Sequence, residues 1–160
     1  MSAESPKSAC SVGKLCQRDV VSIEPQEDIV TAATRMREHH VGCLFVTEPI
    51  PNSVAEKVIG VLTDRDIVVS VVARNAAPSS LKVGDVMTRN PLLVNEDASI
   101  DSVLSFMRDA GVRRVAVTGA QGELIGVLAL DDVIARLAEQ LVKISGSIQN
   151  ERNTERMVRS

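Results

Sequence analysis

A chain of 160 residues with 44% hydrophobic and 24% charged side chains is the size of one globular unit, or of two small halves that share a core. A net charge of −3 argues against broad contact with nucleic acid, and two Phe with no Trp or Tyr remove the stacking surfaces that single strands need. No apolar run is long enough for a membrane span, the start of the chain lacks the apolar stretch of a signal peptide, and three cysteines without metal-ligand spacing fit a reduced compartment, so a cytoplasmic protein is expected.

Residues 1–11, rich in Ser, Ala and Lys, read as a flexible tail. The rest is expected to be two copies of one unit. Val12-Gly13-Lys14-Leu15-Cys16 returns as Val83-Gly84-Asp85-Val86-Met87, an offset of 71 residues that holds through Val41–Val46 on Val112–Val117. It becomes 66 after the loop Thr47–Lys57, which the second copy shortens to Thr118–Glu123, so that Ile59-Gly60-Val61-Leu62 falls on Ile125-Gly126-Val127-Leu128. The first repeat, 12–73, is read as a helical turn Val12–Cys16, a short strand Val20–Ile23, a helix opened by Glu27-Asp28, strands Cys43–Val46 and Val58–Leu62, and a last helix from Asp64. A linker, 74–82, carries Asn75 and Pro78. The second repeat, 83–138, follows the same order: the turn Val83–Met87, strand Leu92–Val94, a helix opened by Asp97–Ser99, strands Arg114–Val117 and Leu124–Leu128, and a last helix from Asp131. Residues 139–160 are read as a helical extension and tail, and from the end of the second repeat onward Ile134, Leu137, Leu141, Ile144 and Ile148 are spaced as a seam for a partner helix, interrupted by Gly146. Half a chain of this size is marginal alone, so the fold expected is α+β, with two repeats packed as a pseudo-twofold pair around a cleft.

Chemistry concentrates where the last strand of each repeat enters its last helix: Thr63-Asp64-Arg65-Asp66 in one copy, Ala129-Leu130-Asp131-Asp132 in the other. A helix start offers unpaired N–H groups and a positive dipole end, which suits an anion. Thr63 followed three residues later by Asp66 also reads as a capping box, which needs no ligand. Arg65 opposes the dipole and is easier to understand facing an incoming phosphate, and Asp66 suits the vicinal hydroxyls of a ribose. These parts describe a pocket for a sugar phosphate or nucleotide.

The paired repeat with its Gly-Val-Leu-Thr-Asp-Arg-Asp-Ile ending resembles a tandem pair of cystathionine β-synthase (CBS) domains, over about residues 12–138. The resemblance implies two β-α-β-β-α units packed through their sheets, with an adenine nucleotide in the cleft: AMP, ADP or ATP, or S-adenosylmethionine, and no cofactor required. It implies that Thr63 and Asp66 hold phosphate and ribose, with Asp64 and Arg65 in the same motif, that Ser22, Ile23, Gly42 and Cys43 supply further contacts, and that His40 matches a phosphate-contacting position. At the second site Asp132 keeps the ribose position, while Thr63 and Arg65 give way to Ala129 and Asp131. Arg113 and Arg114 there either restore charge for a phosphate or form surface ion pairs. The first site is expected to bind better. The family also implies a homodimer and a protein partner not identified by sequence.

His39, His40 and Cys43 lie where a helix end meets a strand, which splays their side chains and disfavours a metal site. Cys16 aligns with Met87 and so fills an apolar slot, whereas Cys10 lies in the tail. Without a Ser-His-Asp set, a metal cluster, a phosphate loop or paired carboxylates in one pocket, the chain reads as a sensor and not an enzyme. The alternatives are a ligand-free dimeric scaffold and a redox- or stress-responsive protein working through Cys10 or Cys16.

Overall fold

The computed structural model describes residues 11–158, and side-chain surroundings through residue 147; Cys10 and Ile148 therefore lie outside the described side chains. The first repeat runs α1 (Val12–Leu15), β1 (Ser22–Ile23), α2 (Ile29–His39), β2 (Cys43–Pro49), β3 (Glu56–Thr63) and α3 (Asp64–Ile67), continued by a π-helical turn, Val68–Val72. A 3-10 turn at Pro78–Ser80 leads to α4 (Val83–Val86), β4 (Thr88–Arg89), β5 (Leu93–Asn95), α5 (Ile100–Ala110), β6 (Arg114–Thr118), β7 (Leu124–Ala129) and α6 (Leu130–Val158).

The expected helices and strands are present, in an α+β fold of two sheets. Both long central helices start at residues whose side chains take over an unpaired N–H. Asp28 accepts from Thr31 at 2.7 Å, and Ser99 accepts from Ser102 at 3.3 Å. Thr31's hydrogen bonds hold the Asp28 carboxyl below its ordinary range. Both helices end in a left-handed residue, His40 (φ 54°) in one copy and Gly111 (φ 65°) in the other. The copies also share a bulge, between Val46 and Thr47 in β2 and between Val117 and Thr118 in β6. In both, the first strand lies parallel to the second and the second antiparallel to the third.

Three regions differ from expectation. The loop Thr47–Lys57 is largely hairpin, because β2 and β3 stay paired out to Pro49 opposite Glu56. Strand β4 is an addition that pairs with β3 of the first repeat, Gly60 opposite Arg89 and Val61 opposite Thr88. Helix α6 passes through Gly146 without a break, about 43 Å at 1.5 Å per residue, so residues expected as tail are helical to Val158. It outruns the core it leaves: Val133 is buried, while Ile134, Leu137, Leu141 and Ile144 are exposed rather than packed on their own domain.

The opening turns are exchanged between repeats. Val12, fully buried, packs with Val94, Val103, Val115, Val117 and Leu128 of the second repeat, and Val83 and Met87 pack with Ile23, Ile29, Leu44 and Leu62 of the first. Backbone bonds fix the first exchange, from Val12 N to Ala98 O (3.1 Å), from Gly13 N to Glu96 O (2.9 Å), and in both directions between Gln17 and Val127 (2.9 and 2.8 Å). A third apolar layer, Phe45, Val58 and Ala116 with Val20, Val61 and Val127 around them, joins the two sheets face to face. Each sheet is thus buried on both faces, which explains the unbroken apolar runs of β2 and β6.

Candidate functional site: a cleft that draws on both repeats

The exchange brings the end of the first repeat's middle helix, α2, near the junction of β7 and α6. Between them lies a cavity of about 240 Å³, walled by the arm at Gln17–Val21, by His40–Cys43 and Phe45, and by Arg114, Val127, Ala129, Asp131 and Asp132. His40 enters it as a non-glycine residue in left-handed backbone, a conformation that costs free energy and that the second repeat gives to glycine. Gly42 sits where an added Cβ would lie 2.8 Å from Asp64 Oδ2, and its carbonyl accepts from Asp64 N at 3.0 Å. Burial pushes the Cys43 thiol up to about 11, with Arg114 pulling it down and Asp66 and Asp64 adding to the rise. Burial likewise raises the Cys16 thiol, so neither described cysteine is an activated nucleophile.

The two aspartates of the repeat endings are held differently. Asp66 Oδ2 accepts from the Thr63 N–H at 2.9 Å and from the Thr63 hydroxyl at 2.6 Å, and the Asp66 N–H returns a bond to Thr63 Oγ1 at 3.2 Å. That is a complete capping box. Asp132 has alanine in place of that threonine. Its Oδ1 accepts instead from Gln17 Nε2 at 2.8 Å, across 115 residues of chain, and its buried Oδ2 has no partner. An unpaired buried carboxylate oxygen is costly, and a donor supplied by a ligand removes that cost.

The residues singled out in the sequence are distributed between places. His40, Gly42, Cys43, Arg114 and Asp132 share the cavity. Thr63, Asp64, Arg65 and Asp66 lie at the start of α3, where Asp64 accepts from the Arg65 N–H at 2.7 Å and Arg65 is exposed. Arg113 pairs with Asp131 at 2.8 Å with both side chains largely exposed, so of the two arginines Arg113 forms the surface pair and Arg114 faces the cavity. Ile23 is 1% exposed inside the first repeat's core, and the Ser22 carbonyl accepts from Arg35 at 2.7 Å; neither lines the cavity. Gln17 and Asp19 were not singled out from sequence. Their signal was the exchange itself, since an offset of 71 places Gln17 on Thr88, which pairs with β3 of the opposite repeat.

Among the described residues, no group of three or more His, Cys, Asp or Glu side chains is placed to hold a metal ion, and no helix is long and apolar enough to cross a membrane. The doubled unit and its cleft agree with sequence comparison: residues 12–73 and 83–139 each match the CBS domain family model. The chain belongs to the CBS domain family. Among relatives of this CBS chain, YlbB of Bacillus subtilis is 36% identical over 121 residues, 76% of each chain. An uncharacterised Methanopyrus kandleri protein is 32% identical over 124 residues, 78% of this chain but only 61% of its own length. The CBS fold is shared with a Pyrobaculum aerophilum protein solved in complex with AMP, at a TM-score of 0.67 and 24% identity, covering 77% of this chain and 89% of that one.

Proposed function

We propose that this CBS pair is a regulatory module that binds an adenosyl ligand in the cavity between its repeats and signals occupancy to a protein partner through a change in packing between them. The observation that carries the reading is Asp132: a carboxylate in the wall of a cavity, with one oxygen buried and unpartnered, suits the vicinal hydroxyls of a ribose. His40 and Arg114 offer contacts for a phosphate, and Phe45, Val20 and Val127 an apolar wall for a base. The charge balance narrows the ligand. Asp131 is neutralised by Arg113, which leaves Asp19 and Asp132 facing Arg114 and favours AMP or S-adenosylmethionine over ATP. The AMP held by the Pyrobaculum neighbour supports an adenine nucleotide. The Thr63–Asp66 segment, its hydrogen bonds closed within its own capping box, is read as structural. A non-catalytic, cytoplasmic homodimer, assembled through the exposed seam of α6, completes the reading.

The test is to denature the purified protein, examine the supernatant by mass spectrometry for an adenosyl compound, and titrate stripped protein with AMP, ATP and S-adenosylmethionine by calorimetry. Binding of AMP or S-adenosylmethionine that disappears in Asp132→Ala, with the fold intact, is the expected result. No released compound and no binding heat at millimolar ligand would leave the scaffold reading, which the ligand-independent capping box at Thr63–Asp66 favours.

A further inference from the structure

Resting on that reading, the geometry points to a latch: the Gln17 side chain holds the Asp132 carboxylate in a closed arrangement, and a diol-bearing ligand must displace it, loosening the Gln17 end of the arm Ser11–Gln17. Gln17 belongs to the first repeat and Asp132 to the second, so their 2.8 Å bond crosses the cleft at the cavity wall. With Oδ1 held by Gln17, Oδ2 is buried without a hydrogen-bond partner. The closed arrangement therefore carries an unpaired carboxylate oxygen, and any ligand that offers two hydroxyls to a reoriented carboxylate relieves it.

What the latch controls follows from the arm's other attachments. Cys16 and Gln17 lie against Gly126, where an added Cβ would meet Gln17 O at 2.6 Å and Cys16 Sγ at 2.8 Å. Upstream, the arm is tied to the second repeat by the Val12 and Gly13 amides and by a bridge between Ser11 and Ser99. Losing the Gln17 side-chain bond weakens the end of this row that borders the ligand, while the buried Val12 side chain and the Val12 and Gly13 amides keep the upstream end seated on the second repeat. Occupancy of the cavity is thereby converted into looser docking of an element that belongs to the opposite repeat, a two-state device that a ligand biases by preferring the open form.

The experiment compares wild type with Gln17→Met, which keeps the bulk and loses the donor, and with Gln17→Ala. AMP and S-adenosylmethionine affinities are measured by calorimetry, and hydrogen exchange is followed at the Val12, Gly13 and Gln17 amides with and without AMP. A latch predicts that both variants bind about tenfold tighter than wild type, since each is spared breaking a charge-assisted bond. It also predicts faster exchange at the Gln17 amide in AMP-loaded wild type, with the Val12 and Gly13 amides unchanged. Equal or weaker binding by both variants, or AMP-independent exchange, overturns the latch while leaving the adenosyl reading standing. Failure of wild type and both variants to bind either compound at millimolar concentration overturns the adenosyl reading and the latch together.

Discussion

At the end of β3 the Asp66 carboxylate folds back on its own loop, taking the Thr63 N–H at 2.9 Å and hydroxyl at 2.6 Å, whereas at the end of β7 the Asp132 carboxylate reaches across to Gln17 at 2.8 Å. The surroundings are otherwise matched: a fully buried leucine, Leu62 or Leu128, lies just before the loop, and an antiparallel middle strand lies beside it. The difference traces to one side chain. Thr63 supplies both an acceptor for the Asp66 N–H and a donor for its carboxylate; Ala129 supplies neither hydroxyl function, and Asp132 is left for a group outside its own loop. On the proposed reading, two copies of one backbone thus come to divide structural and ligand-directed work.

The shared backbone is the firmest part of the comparison, and its failure would show first. Leu62→Ala and Leu128→Ala each remove a fully buried side chain from an equivalent core, so each should lower unfolding free energy by about 2–5 kcal/mol in urea denaturation. Strongly unequal losses would mean that the repeats differ in their cores as well as in their loops.

The aspartates should then separate by readout. Asp66→Ala removes the return half of the capping box of α3, leaving the Thr63 cap itself, and should cost about 1 kcal/mol or less, seen as a lower urea midpoint. Asp132→Ala should leave that midpoint nearly in place while abolishing AMP or S-adenosylmethionine binding in calorimetry. If Asp66→Ala instead abolishes binding and Asp132→Ala does not, the division of work runs the other way.

A sharper test rebuilds one loop as the other. Ala129→Thr restores a Thr-x-x-Asp start before α6, and a new cap is worth roughly 1 kcal/mol of added stability. The same hydroxyl competes with Gln17 for Asp132, so the variant should also change ligand affinity, which links a stability gain to a functional change in one substitution.

How much of this was legible follows the same line. The repeats, their strands and both long helices were readable because burial on both sheet faces and capping by Asp28 and Ser99 leave local, periodic marks. The Thr63–Asp66 capping box was readable for the same reason, as two residues three positions apart carry it. The Gln17–Asp132 bond was not, because it joins residues 115 apart and depends on an exchange of opening turns that no local pattern announces. Gly42 and Cys43 join Thr63 and Asp66 in the expected site because the CBS resemblance groups them. They do pair with that loop, but they also face the cavity of Asp132, because a middle strand's end lies between the two. Ile23 reads as a site residue only until the parallel pairing of β1 with β2 places it in the core.

The smallest effect lies at the second pair of equivalent positions, Cys43 and Arg114, each at the start of a middle strand. Burial raises the Cys43 thiol from 9.0 to about 11 and outweighs the opposing pull of Arg114. Below pH 9 the thiol is protonated in both folded and unfolded chains and has no effect on stability differences with pH. Between pH 9 and about 11 the unfolded chain releases a proton that the folded chain keeps, so stability contributed by the neutral thiol is lost as pH rises through that window. Urea midpoints of wild type and Cys43→Ser should accordingly diverge above pH 9 and run parallel below it. Arg114→Ala removes a cation that lowers this thiol, so the Cys43 titration, followed by thiolate absorbance in a Cys10→Ser, Cys16→Ser background, should move higher still. A titration indifferent to Arg114→Ala would place the guanidinium too far from Cys43 to face the same cavity, and the charge balance that favours AMP or S-adenosylmethionine over ATP would lose its cation.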